Sequence, residues 1–206
     1  QVGNPVEGTN LLRYDSKFNL AVREINEHFP GSMTMEVVFE GKDNARIVRQ
    51  SDTLTTMRDL QHCLESSPNP PTATLSFADL APEANRVFSG GNPKWSPLDN
   101  DDASASAAVT GLMAGTNAKA FLHVTDFEQK NGTVSLWYSN NKQETVDTAL
   151  AQARACVEKV GPEHPTFTIR LASGAIALQQ SINDTVVRYE SRILLALNLV
   201  ILIGCS

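Results

Sequence analysis

Four histidines, three cysteines and one acidic run are the groups of this chain with a capacity for metal binding, proton transfer or thiol chemistry. His28, His62, His123 and His164 are scattered, with no Cys, His or carboxylate cluster around any of them, so neither a zinc site nor an acid–base pair is expected. Asp99-Asn100-Asp101-Asp102 opens like a calcium loop. However, its sixth place lacks Gly and Thr110 stands where the bidentate Glu belongs, so the run is expected to be the acidic first turn of a helix. Ser89-Gly90-Gly91 lacks the flanks of a nucleophile elbow or a phosphate loop. Cys63, Cys156 and Cys205 fit no zinc or redox spacing. Asn131-Gly132-Thr133 and Asn183-Asp184-Thr185 are glycosylation sequons by pattern only. No enzymatic activity, metal or cofactor is expected.

The better lead is apolar. Phe88, Trp95, Met113 and Phe121 fall in a Gly- and Pro-rich stretch and supply large aromatic and thioether surface, a composition suited to an apolar ligand cleft or a partner surface. The same residues would serve equally well as the local core of that stretch, and the sequence leaves both open. At 206 residues, 41% hydrophobic and 19% charged, the chain has the material for one large or two small domains. Its net charge of −6 and the lack of any Lys/Arg run exclude a binder of nucleic-acid backbones.

Periodicity predicts the elements that hold these residues. Phe18, Ala21, Val22, Ile25 and Phe29 mark an amphipathic helix capped by Asp15 or Ser16 and ended by Pro30-Gly31. A strand over 34–40 follows, then a helix marked by Ile47, Leu54, Met57, Leu60 and Leu64, then a strand over 72–77. A second strand–helix–strand set occupies 133–138, 143–159 and 166–171, and Cys63-Leu64-Glu65 with Pro71-Thr72-Ala73-Thr74-Leu75 parallels Cys156-Val157-Glu158 with Pro165-Thr166-Phe167-Thr168-Ile169. A duplicated βαβ unit is the economical reading, spanning about 33–77 and 133–171, and it predicts an α+β, ferredoxin-like sandwich. Between the units lies the insertion 78–132, with an Ala-rich helix over 103–113 and a strand over 121–127 expected to close by hairpin onto Thr133. Trp137 and Tyr138 should face opposite sides of their strand. The two helices of the duplicated units should run antiparallel. Cys63 and Cys156, near their carboxyl ends, are therefore expected to lie apart as free thiols.

From Gly174 a helical run continues into Ile193–Ile203, where Leu194, Leu195, Leu197, Leu199, Val200, Ile201, Leu202 and Ile203 cover every side and only Asn198 interrupts. Such a helix needs apolar surroundings all round. The run is shorter than the roughly 20 residues of a membrane span but has a span's composition, with Arg192 at its polar edge. Residues 193–206 are thus expected to begin a transmembrane helix, and 1–192 to form a water-exposed domain. With Gln1 in place of Met, both ends read as cuts inside a larger membrane protein.

Three stretches carry a likeness to a known family: Gly8-Thr9-Asn10-Leu11-Leu12 with Tyr14-Asp15-Ser16-Lys17-Phe18-Asn19, then Ile25-Asn26-Glu27-His28-Phe29-Pro30-Gly31, and the exit Ser173-Gly174-Ala175 before the long helix. In these the chain resembles the resistance-nodulation-division transporter superfamily, in particular its hydrophobe and lipid exporter (MmpL-like) branch, and within it the second large periplasmic loop. The resemblance implies a porter domain of duplicated βαβ units in a bacterial inner-membrane, proton-driven transporter, facing the periplasm. It implies a hydrophobic lipid ligand, of sterol or hopanoid type as the preferred guess, handled without bond-making chemistry. Implied partners are the inner membrane, the other periplasmic loop of the same transporter and a periplasmic adaptor or lipid-binding protein. A docking module that binds no ligand is the alternative.

Overall fold

The structure is a computed structural model and describes residues 8–9, 11–98, 100–115 and 117–204. Asn10 of the amino-terminal motif, Asp99 of the acidic run and residues 205–206 of the apolar tail lie outside the described residues.

In chain order the elements are α1 (Lys17–His28), β1 (Met33–Gly41), α2 (Ser51–Glu65), β2 (Ala73–Leu75), α3 (Phe77–Phe88), α4 (Asp102–Gly115), β3 (Asn131–Tyr138), α5 (Gln143–Val160), β4 (Phe167–Ser173) and α6 (Ala175–Gly204). Short 3₁₀ turns stand at Ile47–Arg49, Pro93–Trp95 and Ala118–Phe121. The molecule is α+β, and its four strands form one antiparallel sheet in the order β2-β3-β1-β4. Both β1 and β2 run against β3, and both β3 and β4 run against β1. Each strand–helix–strand segment therefore links two parallel strands with a third inserted between them.

Alternation places Met35, Val37 and Phe39 of β1, Val134, Leu136 and Tyr138 of β3, and Phe167 and Ile169 of β4 on the inner face. Val37 sits opposite Val134, and Phe39 opposite Ile169. Over this face pack Leu54, Met57, Leu60 and Leu64 of α2, the stripe that the helical spacing predicts, and Val146, Ala149, Ala153 and Val157 of α5, where the spacing predicts Leu150 in place of Ala149 and Leu150 is only partly buried against the core. Trp137 is partly exposed and Tyr138 buried, as strand alternation requires.

The cysteine expectation is overturned. Cys63 and Cys156 form a disulfide with their Cα atoms 5.8 Å apart. The helices do run antiparallel, but they are staggered. Gln152 lies beside Ser67 and Asn69, and His164, just past the end of α5, reaches Asp52 in the first turn of α2. The carboxyl-terminal half of the longer α5 thus lies along the carboxyl-terminal half of α2, and the two cysteines meet inside the overlap rather than at opposite ends.

Three local expectations also change. The helix expected from Ile47 is broken at Gln50, whose extended backbone separates the 3₁₀ turn from α2. The strand over 72–77 shortens because Ser76 and Asp79 form a capping box that turns Phe77 into α3. No hairpin strand forms over 121–127. The N–H groups of Val124 and Thr125 donate to Phe121 O within a turn, leaving only an isolated bridge from Thr125 to Gly132. β-propensity there loses to local turn bonds and to the burial of Val124.

The insertion is mostly helical. α3 and α4 pack together, with Ala81, Ala84, Ala105 and Ala108 buried on them, and α4 leans on the Ile47–Arg49 turn. Asp101 accepts from the backbone N–H and hydroxyl of Ser104, and these bonds hold its carboxyl below the usual carboxylate range. Asp102 accepts from Ser51 N. Both are helix-start carboxylates, as the acidic-turn reading expects.

Candidate functional site

Phe88, Trp95, Met113 and Phe121 divide into two pairs. Phe121 packs its ring on Phe77, centroids 5.7 Å apart, and both Phe121 and Met113 lie against the main core. Phe88 and Trp95 remain open, 59% and 47% exposed. The ring of Phe88 lies across Gly111 of α4, where a Cβ would stand 2.8 Å from it; the contact is possible because Gly111 has no side chain. Asn85 of α3 donates to Trp95 O at 2.7 Å and so ties the Pro93–Trp95 turn back to the helix that ends in Phe88. Lys94 Nζ stands 4.9 Å from the Trp95 ring centroid. The structure thus presents two aromatic surfaces on one tethered segment, while Met113 and Phe121 pack against the main core.

The cavities described in the structure are lined by other residues. A shallow one of about 110 Å³ lies at the base of the insertion between α2, α3 and the Pro97-Leu98 segment. A polar one of about 440 Å³ lies between the Pro68-Asn69-Pro70 loop and the start of α5, with Tyr138, Asn140, Lys142 and Thr145 in its wall. The Tyr138 hydroxyl is buried with no hydrogen-bond partner among the described residues, and burial pushes its pKa up to about 12. A third cavity, of about 630 Å³, is an open groove over the disulfide.

The amino-terminal motif has a structural role that sequence reasoning missed. Buried Asn19 accepts from Thr9 N and donates to Thr9 O and Arg13 O, which ties Thr9 and Arg13 to the start of α1. Asn141 in turn accepts from Gly8 N and donates to Gly8 O, fastening the amino-terminal segment to the connection between β3 and α5. An Asn three residues after the Ser16 cap was the available signal, but its partners lie upstream in irregular chain. α1 itself turns its apolar residues outward: Phe18, Leu20, Ile25 and Phe29 are all exposed.

Two histidines do meet carboxylates, a correction to the scattered picture. Glu24, Glu27 and His28 bring ligand atoms within 4.8 Å of one another, all exposed on one turn of α1. His164 lies 3.3 Å from Asp52 and stacks on Phe167 at 4.2 Å, which makes it a packing residue. Glu163 beside it accepts from Lys42 and Thr168, and these bonds hold its carboxyl below the usual range. The Asn131 sequon is internally engaged, its side chain donating to Asp126 and accepting from Gly41 N.

Gly174 turns the chain from β4 into α6 with φ +102. Ile176 is buried, and Gln143 of α5 bonds to Gln180 and Asn183, so the first turns of α6 are docked on the domain. Beyond them the apolar side chains are uncovered: Val200 is 67% and Ile203 73% exposed, with Ile193, Leu195 and Leu202 similar. Among the described residues no helix is long and apolar enough to cross a membrane. No protein-family model, curated protein or solved structure matches the chain.

Proposed function

We propose that this chain is the periplasmic, ligand-handling portion of a bacterial inner-membrane, proton-driven transporter of the resistance-nodulation-division class, moving a hydrophobic lipid of sterol or hopanoid type. The observation that carries the proposal is α6: a 30-residue helix docked at its start and uncovered on its apolar turns, attached to a domain with an otherwise closed core. Apolar surface of that extent is costly in water and calls for an apolar phase or a partner. Three further features support the reading. The strand order and parallel pairs suit a ferredoxin-like porter unit built from duplicated βαβ segments. The disulfide suits an oxidising compartment such as the periplasm. The insertion between the units presents Phe88 and Trp95 to solvent, where a lipid would be desolvated against them.

Titration of the chain in detergent micelles with a sterol or hopanoid tests the ligand part of this reading. Saturable quenching or shift of tryptophan emission is expected, with affinity reduced about tenfold or more in Trp95→Ala and Phe88→Ala, as befits the loss of a buried aromatic contact. Unaltered binding in both variants, or no binding at all, would count against these residues.

A docking module is the second reading, and α1 favours it. Phe18, Ile25 and Phe29 form an exposed apolar face, suited to the other periplasmic loop or to an adaptor protein. Capture of such a partner, abolished by Phe18→Ser with Ile25→Ser while lipid binding persists, would assign that role to α1.

A further inference from the structure

The open groove of about 630 Å³ lies over the junction of α2 and α5, and its wall includes Asp59, His62, Cys63, Ser66 and Lys159. Of the two bridged sulfurs only that of Cys63 belongs to a groove-lining residue. Cys63 is partly exposed, whereas Cys156 is 4% exposed and packs into the core. Thiol–disulfide exchange is an in-line displacement whose rate depends on which sulfur an attacking thiolate can reach. The two ends of this bridge are therefore chemically unequal.

We propose that the Cys63–Cys156 bridge is a thiol-exchange site, with Cys63 Sγ the sulfur attacked by a small external thiol entering through the groove. In the first step the external thiolate forms a bond to Cys63 Sγ, the bridge breaks, and the electron pair leaves on Cys156 Sγ, which takes a proton from water. In the second step another thiolate attacks the external sulfur of the mixed disulfide and releases Cys63 as a thiolate. Two external thiols become one disulfide, and their two electrons reduce the bridge. Lys159 supplies positive charge to the groove, and Asp59, which pairs with neighbouring Arg58, supplies the opposing charge. With Asp59 paired to Arg58, Lys159 is the charge that an incoming carboxylate-bearing thiol such as glutathione would meet in this wall.

The consequence lies in what the bridge encloses. It joins the helix of the first βαβ segment to that of the second across a sequence separation of 93, and the whole α3–α4 insertion lies inside the loop. Opening it removes the only covalent tie between these helices seen among the described residues, while their packing against the sheet remains.

The test uses the oxidised, folded chain carrying Cys205→Ser, with reduced glutathione as the probe, followed by acid quench, alkylation and peptide mass mapping. The first adduct is expected on Cys63 with the alkyl group on Cys156, at a rate unchanged by urea below the unfolding transition. Lys159→Glu should slow the reaction severalfold with glutathione and leave it unchanged with uncharged 2-mercaptoethanol. Adducts appearing first on Cys156, or exchange that occurs only when the chain unfolds, would overturn the proposal. Equal rates for Lys159→Glu and the parent chain with glutathione would remove Lys159 from it.

Discussion

Tyr138 and the paired cysteines are the residues whose chemistry departs furthest from that of a solvated side chain. The Tyr138 hydroxyl has lost water without gaining a partner among the described residues, so its neutral form is the one the fold tolerates. The folded pKa, about 12, lies above the unfolded value near 10, so the unfolded chain binds fewer protons between those limits. The corresponding stability is fully present below pH 10 and is lost as pH rises toward 12. Urea titrations between pH 9 and 11.5 should show this loss in the parent chain and a smaller one in Tyr138→Phe, which should also equal or exceed the parent in stability at pH 7. For the bridge, Cys156→Ser should cost about 2–5 kcal/mol, read as a lower urea midpoint without reductant. Added dithiothreitol should bring the parent down to the variant and leave the variant where it is. The cysteine types and positions are plain in the sequence, but their pairing is not. It depends on the stagger of α5 along α2, which local periodicity does not encode.

At the scale of elements, what the sequence made legible was whatever rests on local spacing. The apolar stripes of α2 and α5, the alternation in β1 and β3, the Ser16 cap and the Ala-rich α4 all follow from side-chain period and capping chemistry. The expected strand over 121–127 failed because Phe121, Val124 and Thr125 satisfy their backbone in a turn that also buries Val124 and Thr125. The candidate site was legible only in part. Phe88 rests on Gly111 and Trp95 is held by Asn85, contacts that join separate segments, and nothing in the linear pattern separated this exposed pair from Met113 and Phe121. The junction that carries α6 is equally specific. A Cβ on Gly174 would stand 2.5 Å from Thr34 O, and the residue holds φ +102. Gly174→Ala should therefore destabilise the chain by about 1–3 kcal/mol. Amide exchange should rise at the β4–α6 junction, while the β1–β3 ladder keeps its protection.

For the whole molecule, one arrangement organises the rest. A sheet with two covering helices is closed by a disulfide, a helical insertion rises from between its units, and a long helix departs with its apolar surface bare. The sheet and the helices that cover it share one buried core, to which the exposed apolar residues beyond the first turns of α6 do not belong. The proposed transport role requires that they meet hydrocarbon. Flotation with vesicles of phosphatidylcholine and phosphatidylglycerol measures this most directly. The chain should float with the vesicles, and Leu195→Asp with Val200→Asp should reduce that fraction by at least about tenfold, since each carboxylate costs about 2.5–3.5 kcal/mol in the hydrocarbon interior. A parent chain that stays at the bottom of the gradient, or a variant that floats as well as the parent, would contradict the account.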